Sequence, residues 1–287
     1  MSERDEPWTV LRVLAWTQQR FKDRALASPR LDAELLLAQV MNKTRVGLYT
    51  SYDQPLVAGE LAAYRDLIRR RLAGEPVAYL LGAQEFWSLS FAVDARVLVP
   101  RPETEGLVEA ALALLRGRAA PTLVDVGTGS GAIAIAVAHE RPDAEVIAID
   151  RSPDALVVAR ANAARHTVDV TFLEGDLLAP IAGRRVDVIA SNPPYIAEGD
   201  FDTLPPEVRR EPRGALLAGP DGLDVIRRLI TDAPALLVPD GALLLEIGAG
   251  QSDQVQELGR RRFREVSVRK DLAGIERVIV ARVPIVT

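Results

Sequence analysis

The sequence predicts an α/β fold in which a mostly parallel sheet, with helices on both faces, follows a small all-α bundle. Residues 8–82 show only helical apolar spacing. After Pro121, short apolar runs of strand length alternate with helical stretches, which is the order typical of a parallel sheet. The length of 287 residues and the hydrophobic content of 48% are enough for one large domain and one small one.

The predicted bundle occupies residues 1–82. Its best-marked helix begins with Ser28 as the N-cap and Pro29 as the first helical residue. The apolar residues that follow at helical spacing are Leu31, Leu35 and Val40.

Another helix of the bundle is predicted over residues 60–72, where Gly74 and Pro76 mark its end. The residues expected on its inner face are Leu61, Tyr64, Ile68 and Leu72. The three arginines at 69–71 are expected on a solvated face.

Residues 83–100 are predicted to form a β-hairpin that links the bundle to a second domain at 101–287. The apolar period changes to two in this segment, with Asp94 and Ala95 in its middle. The apolar positions are Phe86, Phe91, Val93, Val97 and Val99.

The second domain is predicted to begin with a helix through Leu115 and then to alternate strands and helices. Strands are expected at 122–126, 145–149, 170–173, 186–190 and 242–247. Helices are expected at 130–139, 152–166 and 221–237. The last two strands, 265–268 and 277–283, are joined too briefly for a crossover helix, so we expect them to pair antiparallel.

The tetrapeptide Asn192, Pro193, Pro194 and Tyr195 closes the apolar run 186–190, at the carboxyl edge of the predicted sheet. Prolines fix φ and hold their carbonyls rigidly, and the asparagine amide offers both an acceptor and a donor. The tyrosine ring offers an apolar wall. This combination favours a site for a planar, nitrogen-bearing group, and an ordinary Pro-rich turn is the competing interpretation.

A glycine-rich turn after the first strand of the second domain predicts a cofactor site, because glycine lets backbone N–H groups approach a ligand closely. Its residues are Asp125, Gly127, Thr128, Gly129, Ser130 and Gly131. Asp150 ends the next strand, where it can accept both hydroxyls of a ribose or cap the following helix. Asp176 follows the third strand and is placed to accept an adenine amine, with Leu177 against the ring. Together these strand ends predict an adenosine-bearing cofactor.

Two classes of adenosine cofactor fit this turn. Gly127, Gly129 and Ala132 satisfy the relaxed dinucleotide fingerprint. Asp125, however, lies inside the strand, where its charge favours a sulfonium and repels a pyrophosphate. The tetrapeptide also has no role in hydride transfer. The pattern therefore favours a sulfonium cofactor.

Composition excludes several kinds of protein. The chain has no cysteine, so disulfides, zinc thiolate sites and cysteine nucleophiles are ruled out, and no metal site is expected. The net charge of −5 argues against a general duplex-DNA binder. No signal-like segment or apolar run of membrane-spanning length is present, so we expect a soluble cytoplasmic protein. His139 and His166 fall on predicted helices and are interpreted as surface or structural residues.

The chain resembles the HemK-type protein-(glutamine-N5) methyltransferases, which modify peptide chain release factors with S-adenosylmethionine. The resemblance covers most of the chain, and its most specific parts are Pro-Arg-Pro-Glu-Thr-Glu at 100–105 and the tetrapeptide at 192–195 taken together. The remaining matching segments are 74–79, Phe86, 97–99, 125–131, 211–212, 215–216, 221–223, 246–248, 270–271 and 274–277.

The resemblance implies a Rossmann-like class I methyltransferase sheet with an antiparallel C-terminal hairpin. It implies that residues 127–131, Asp150, Asp176 and Asn192 line the S-adenosylmethionine site. It also implies that the bundle helps to recognise the release factor, whose target glutamine lies in a Gly-Gly-Gln loop. No membrane and no stable nucleic-acid partner is expected.

Residues 192–195 are implied to receive the glutamine side-chain amide. We expect Asn192 Oδ1 and the Pro193 carbonyl each to accept one amide N–H, which would aim the nitrogen at the methyl group. Tyr195 is expected to pack on the flat amide. The tetrapeptide holds no side chain of suitable basicity, so the amide proton is expected to pass to solvent or to a backbone acceptor.

Several interpretations stay open at this point. Glu103 either contacts the amino end of the cofactor or, with Glu105, offsets the helix dipole, and Arg101 beside them has no assigned role. The loop 197–220 is long enough to be a cover or a docking surface. A nucleic-acid amino methyltransferase poses the same geometric problem as an amide methyltransferase. A nicotinamide-dependent dehydrogenase and a binding module without turnover are the other rivals.

Overall fold

The computed structural model describes residues 7–285, which divide into two compact units. The first unit contains the described residues up to Gly82 together with Pro206–Arg210. The second contains Ala83–Pro205 and the chain from Glu211 onward. The short piece Pro206–Arg210 was expected with the second domain. The structure groups it with the helices because its side chains bond to them.

The first unit is helical, as predicted. Its helices are α1 Val10–Lys22, α2 Pro29–Val40, α3 Arg45–Tyr49, α4 Ala58–Leu72 and α5 Val77–Leu81. On α4, Tyr64 and Ile68 are buried as predicted. Thr9 caps α1 by accepting a hydrogen bond from the backbone of Arg12.

The apolar residues at helical spacing on α2 are not its most buried residues. Leu31 is 39% exposed, while the fully buried residues of this helix include Leu36 and Leu37. The other four helices of the unit all pack against α2, so its buried surface is wider than one apolar stripe and a single spacing does not find it. Ser28 is at the N-cap position but makes no side-chain capping bond.

The arginine run at 69–71 is only partly solvated. Arg71 is 5% exposed. Its Nε donates to Asp32 Oδ2 at 2.8 Å. Its Nη2 pairs with the carboxylate of Glu207, in the segment Pro206–Arg210. A buried guanidinium requires such partners, and neither acid is near Arg71 in the sequence. The expectation of a solvated face is therefore wrong for Arg71.

The second unit begins with a hairpin of β1 Ala83–Phe86 and β2 Leu89–Ala92. Its turn is at Trp87 and Ser88, with φ of +53° and +56°, as a two-residue hairpin turn of type I′ requires. The prediction that Asp94 and Ala95 lie in the middle of the hairpin is wrong. The sequence did not reveal the true turn because Trp87 and Ser88 are not the Asn-Gly pair that usually marks such a turn.

The main sheet has seven strands in the order β5-β4-β3-β6-β7-β9-β8. They are β3 Thr122–Val126, β4 Glu145–Asp150, β5 Thr171–Glu174, β6 Val186–Ser191, β7 Leu237–Glu246, β8 Phe263–Lys270 and β9 Glu276–Pro284. The strands β3 to β7 are parallel, and β9 pairs antiparallel with both β7 and β8. The predicted class, a parallel sheet with an antiparallel C-terminal hairpin, is confirmed.

The helices of the second unit are α6 Glu105–Leu115, α7 Ala132–Glu140, α8 Pro153–His166, α9 Asp224–Asp232 and α10 Ser252–Arg260. The chain runs from β3 outward to β4 and β5, and then returns to place β6 on the other side of β3. The order of the strands therefore reverses between β3 and β6. In open α/β sheets, ligands bind at the carboxyl ends of the strands at such a reversal.

Candidate functional site

A cavity of about 310 Å³ opens at the carboxyl ends of β3, β4 and β6. Its size is at the lower end of the range for small-molecule sites. Eight of the residues predicted for the site line it: Gly127, Gly129, Asp150, Asp176, Leu177, Asn192, Pro193 and Pro194. The sheet thus brings together segments that are up to 67 positions apart in the sequence, from Gly127 to Pro194.

The glycine turn is open toward the cavity. Gly127 has φ of +73° and Gly129 has φ of +55°, a region that favours glycine. No atom of residues 7–285 outside the immediate neighbours lies within 4 Å of where a Cβ would stand on either glycine. Gly131 differs, because a Cβ there would lie 2.7 Å from Ile135 Cδ1 and 3.3 Å from Ala159 Cβ. The smallness of Gly131 therefore serves the packing of α7 against α8.

Asp125, Thr128 and Ser130 lie behind the turn rather than on the cavity wall. Asp125 Oδ2 accepts hydrogen bonds from Thr128 Oγ1 at 2.6 Å and from the backbone of Ala134 at 3.2 Å. Burial raises the pKa of Asp125 to about 7, while these two donors act to lower it. Asp125 therefore braces the turn and the start of α7, and the sequence-based expectation that its charge faces a sulfonium does not match its position.

Asp150 is at the end of β4 and lines the cavity. Its Oδ2 accepts the N–H of Gly129 at 2.9 Å, and its Oδ1 accepts the N–H of Ser152 at 2.9 Å. Ser152, rather than Asp150, caps α8 by accepting from Ala155. Each carboxylate oxygen has a further lone pair, so Asp150 can accept hydroxyl donors from the cavity while it holds the turn.

Asp176 follows β5 and meets Arg228 of α9, whose Nη2 lies 2.5 Å from Asp176 Oδ2. The arginine lowers the pKa of Asp176, so the carboxyl is ionised. Arg228 also lines the cavity. Sequence reasoning missed Arg228, because nothing in an amphipathic helix marks one arginine as the partner of a strand-end acid 52 positions away.

Asn192 directly follows β6, and its Nδ2 donates to Thr104 Oγ1 at 3.0 Å. Since the amide nitrogen is turned toward Thr104, Oδ1 is the acceptor available to the cavity. Pro193 and Pro194 continue the wall. The site therefore offers the Asn192 amide oxygen as a hydrogen-bond acceptor beside two prolines.

The ring of Tyr195 does not line the cavity, contrary to the expectation that it forms the apolar wall. It packs against the buried core of the sheet, and its carbonyl accepts from Gln251 Nε2 at 3.0 Å. Burial, together with the nearby Glu246 carboxyl, raises the pKa of the Tyr195 hydroxyl to about 12. Tyr195 remains neutral and anchors the end of the tetrapeptide.

Two buried residues near Asn192, Thr104 and Glu246, were not predicted as site residues, although both lie in segments that carry the resemblance. Glu246 is the last residue of β7 and is 1% exposed. Burial raises the pKa of Glu246 to about 7, and the bond from Thr104 opposes this. The available signal was an acidic residue that ends a run of four apolar residues in a buried strand.

The acidic and basic residues beside Thr104 have structural partners. Glu105 Oε1 accepts the N–H of Trp87 at 2.8 Å and so fixes the hairpin turn. Arg101 pairs with the carboxylate of Glu211. Glu103 is exposed.

The two histidines are peripheral to the cavity. His139 is exposed near the end of α7. His166 packs on Phe91 at a ring-centroid distance of 5.4 Å and meets the carbonyl of Ser90 at 2.9 Å.

None of the helices within residues 7–285 is both long enough and apolar enough to span a membrane.

Two family models match the chain. One is described as the PrmC N-terminal domain and matches residues 12–82, and the other is described as the methyltransferase small domain and matches residues 108–205.

Full-length relatives carry one functional name. The release factor glutamine methyltransferase of Geobacter sulfurreducens is 44% identical over 99% of this chain and 100% of its own. The proteins of that name from Rhodopirellula baltica and Bordetella pertussis are 46% and 47% identical, over 96% and 87% of this chain and 96% and 93% of their own.

Solved structures share the fold at low identity. The hMettl16 catalytic domain in complex with the MAT2A 3'UTR hairpin 6 has a TM-score of 0.59 at 15% identity, over 73% of this chain and 83% of that one. The T. thermophilus 16S rRNA N2 G1207 methyltransferase RsmC, in complex with AdoMet and guanosine, has a TM-score of 0.52 at 19% identity, over 70% and 49%. These similarities establish the class I methyltransferase fold and nothing finer.

Proposed function

The chain belongs to the release factor glutamine methyltransferase family, and on that premise we propose that it methylates the side-chain amide nitrogen of the glutamine in the Gly-Gly-Gln loop of peptide chain release factors. The observation that carries this proposal is the orientation of Asn192. Its Nδ2 is held by Thr104 at 3.0 Å, so an amide acceptor faces the cavity beside the two proline residues. A primary amide substrate presents two N–H donors, which match such acceptors.

The cavity fits S-adenosylmethionine. Gly127 and Gly129 leave room for a ligand against the backbone, Asp150 presents acceptors suited to ribose hydroxyls, and Leu177 presents an apolar surface for an adenine ring. Asp176, held by Arg228, also lines the cavity and is the acceptor that we assign to the exocyclic amine. When bound, S-adenosylmethionine would supply an electrophilic methyl group to the amide nitrogen, with S-adenosylhomocysteine and one proton, taken up by water, as the other products.

The residues of the chain overcome the poor nucleophilicity of an amide. Its nitrogen lone pair is delocalised into the carbonyl, so attack requires the nitrogen to lose planarity. Asn192 Oδ1 and the Pro193 carbonyl each accept one N–H, and these bonds strengthen as positive charge develops on the nitrogen. Pro194 and the anchored Tyr195 hold both acceptors rigidly, and alignment of the nitrogen with the methyl group supplies much of the rate.

The helical unit supports recognition of the release factor, and the reaction is assigned to the cytoplasm, where release factors act. The test is mass spectrometry of a release factor incubated with the protein and S-adenosylmethionine. We expect one added methyl on the glutamine of the Gly-Gly-Gln loop, lost with Asn192→Ala and retained with Gln254→Ala, which removes an exposed amide on α10. Methyl transfer to ribosomal or transfer RNA, with none to the protein, would instead establish the nucleic-acid rival.

A further inference from the structure

We propose that Thr104 and Glu246 are positioning residues that fix which end of the Asn192 amide faces the substrate. This inference rests on the proposed function, since it assigns to two residues outside the tetrapeptide the control of its acceptor. The three side chains come from three separate elements: the segment before α6, the end of β6 and the end of β7.

The sheet places Asn192 and Glu246 side by side. Strands β6 and β7 are parallel, and their last paired residues are Ser191 and Leu245. Asn192 directly follows β6, and Glu246 is the last residue of β7 and still pairs with Val278 of β9, so the two residues lie at the same level along the sheet. Thr104 lies beside both: its Oγ1 accepts from Asn192 Nδ2 at 3.0 Å, and its hydroxyl acts to lower the pKa of the Glu246 carboxyl.

The burial of this arrangement indicates a role beyond stability. Thr104 is 4% exposed and Glu246 is 1% exposed. Glu246 Oε2 has no hydrogen-bond partner among residues 7–285, and a buried carboxyl oxygen without a partner costs free energy that an apolar side chain would not cost. The stability of the sheet alone does not account for an acid at this position.

The chemistry of hydrogen bonding makes the arrangement directional. An ionised carboxylate can only accept, so it takes the hydroxyl hydrogen of Thr104. Thr104 Oγ1 then has only lone pairs to offer Asn192 and must receive the Nδ2–H. Oδ1 is therefore directed to the other side, where the substrate amide donates. If the Asn192 amide were flipped, its NH₂ group would face the NH₂ group of the substrate. Two donors would then meet, and no substrate N–H would be held.

Protonation of Glu246 would remove this direction, since a carboxylic acid can itself donate to Thr104. The groups that face Glu246 are Arg101 and Glu103 before α6, Tyr195 after β6 and Arg277 of β9, besides Thr104. Burial raises the pKa of Glu246, the two arginines lower it and Glu103 raises it, with the result about 7. The orientation of Asn192 is therefore expected to be fixed above pH 7 and to loosen below it.

The kinetic test compares Thr104→Val, Thr104→Ser and Glu246→Gln with the wild type on a release factor. Thr104→Val is expected to lower kcat by about 100-fold with KM little changed, because it removes alignment rather than binding. Thr104→Ser keeps the hydroxyl and is expected to recover most of kcat. Glu246→Gln is expected to lower kcat by about tenfold and to abolish the rise of kcat with pH around 7. The matched control is Thr171→Val, an exposed threonine on β5.

A spectroscopic measurement reads the orientation without turnover. The side-chain NH₂ signals of Asn192 are assigned by their loss in Asn192→Ala. Relative to a free amide at the same pH, their hydrogen exchange with water should be slow above pH 7 and less strongly slowed below it. Thr104→Val should make exchange fast at every pH, and Glu246→Gln should remove its pH dependence.

Equal kcat for Thr104→Val and the wild type, or an equal defect in Thr104→Ser and Thr104→Val, would overturn the inference. So would a large defect in Glu246→Gln without one in Thr104→Val, since the carboxyl would then act without Thr104. A wild type that does not methylate the release factor contradicts the proposed function instead, and the exchange measurement then decides the positioning roles alone.

Discussion

The carboxylate of Asp150 accepts the backbone N–H of Gly129 at 2.9 Å and so ties the end of β4 to the glycine turn after β3. Removal of this carboxylate takes away the acceptors that we propose for the ribose, and it also releases the turn. We expect Asp150→Ala to raise the Kd for S-adenosylmethionine by at least about tenfold, since a hydrogen bond to a charged group contributes about 1.5–3 kcal/mol.

Isothermal titration calorimetry measures this change, and Asp169→Ala, an exposed acid before β5, is the control. Asp150→Asn is a useful companion, because it keeps an acceptor but loses the charge, and its Kd should lie between those of the wild type and Asp150→Ala. An unchanged Kd in Asp150→Ala would show that the ribose is bound elsewhere.

Substitution of Asn192 should lower the rate of methyl transfer much more than it lowers the affinity for the cofactor. Asn192→Ala removes the acceptor that we propose acts mainly in the transition state, and loss of one such group in other enzymes costs about 100–1000-fold in kcat. We expect a loss of this order with the cofactor Kd within about threefold of the wild type. Single-turnover kinetics and calorimetry on the same protein check both quantities. Equal losses of rate and cofactor affinity would mean that Asn192 serves the cofactor rather than the amide.

The sheet was predictable because its strands are buried on both faces and read as short apolar runs between turn residues. The part of the cavity lining that the strand ends contribute was predictable for a related reason. In a parallel sheet every carboxyl strand end lies at one edge, so Gly127, Asp150, Asp176 and Asn192 had to converge there. Position along the chain was enough to bring these four residues together.

Contacts between segments far apart in the sequence were not predictable. Thr104 and Asn192 are separated by 88 positions. A single sequence does not show that the Thr104 hydroxyl accepts a hydrogen bond from the Asn192 amide. The burial of Asp125 was missed for a different reason, because its hydrogen-bond donors, Thr128 and Ala134, are close to it in the sequence. Its place before the glycines indicated proximity to a ligand, but alternation along β3 does not tell on which side of the turn a carboxylate will find its donors.

Arg71 and Arg69 allow a comparison of a buried and an exposed ion pair on one helix. Arg71→Leu leaves Asp32 buried without its guanidinium partner, and breaking a buried pair in this way costs about 3–5 kcal/mol of unfolding free energy. Arg69, whose side chain is 78% exposed, pairs with Asp66, and an exposed pair of this kind contributes at most about 1 kcal/mol. Urea denaturation should therefore separate Arg71→Leu from Arg69→Leu clearly. Similar midpoints for the two variants would contradict the buried role of Arg71.

Asp125 should make the stability of the protein depend on pH. Burial raises its pKa to about 7 in the folded chain, while an unfolded aspartate has a pKa of about 3.9. Between these values the folded state binds the proton and the unfolded state does not, so stability falls as pH rises from about 4 to 7. Glu246, with a pKa raised to about 7, acts in the same direction. We expect Tm to fall between pH 5 and 8 in the wild type.

The fall in Tm should be smaller in Asp125→Asn, which carries no titrating group at this position. The Glu246→Gln variant should also show a smaller fall, and the double variant the smallest, because the two acids contribute separately. Asp169→Asn, which changes an exposed acid, should keep the wild-type dependence. A wild-type Tm that rises over this range, or an Asp125→Asn profile that matches the wild type, would show that Asp125 is ionised in the folded protein and that its two hydrogen bonds from Thr128 and Ala134 outweigh its burial.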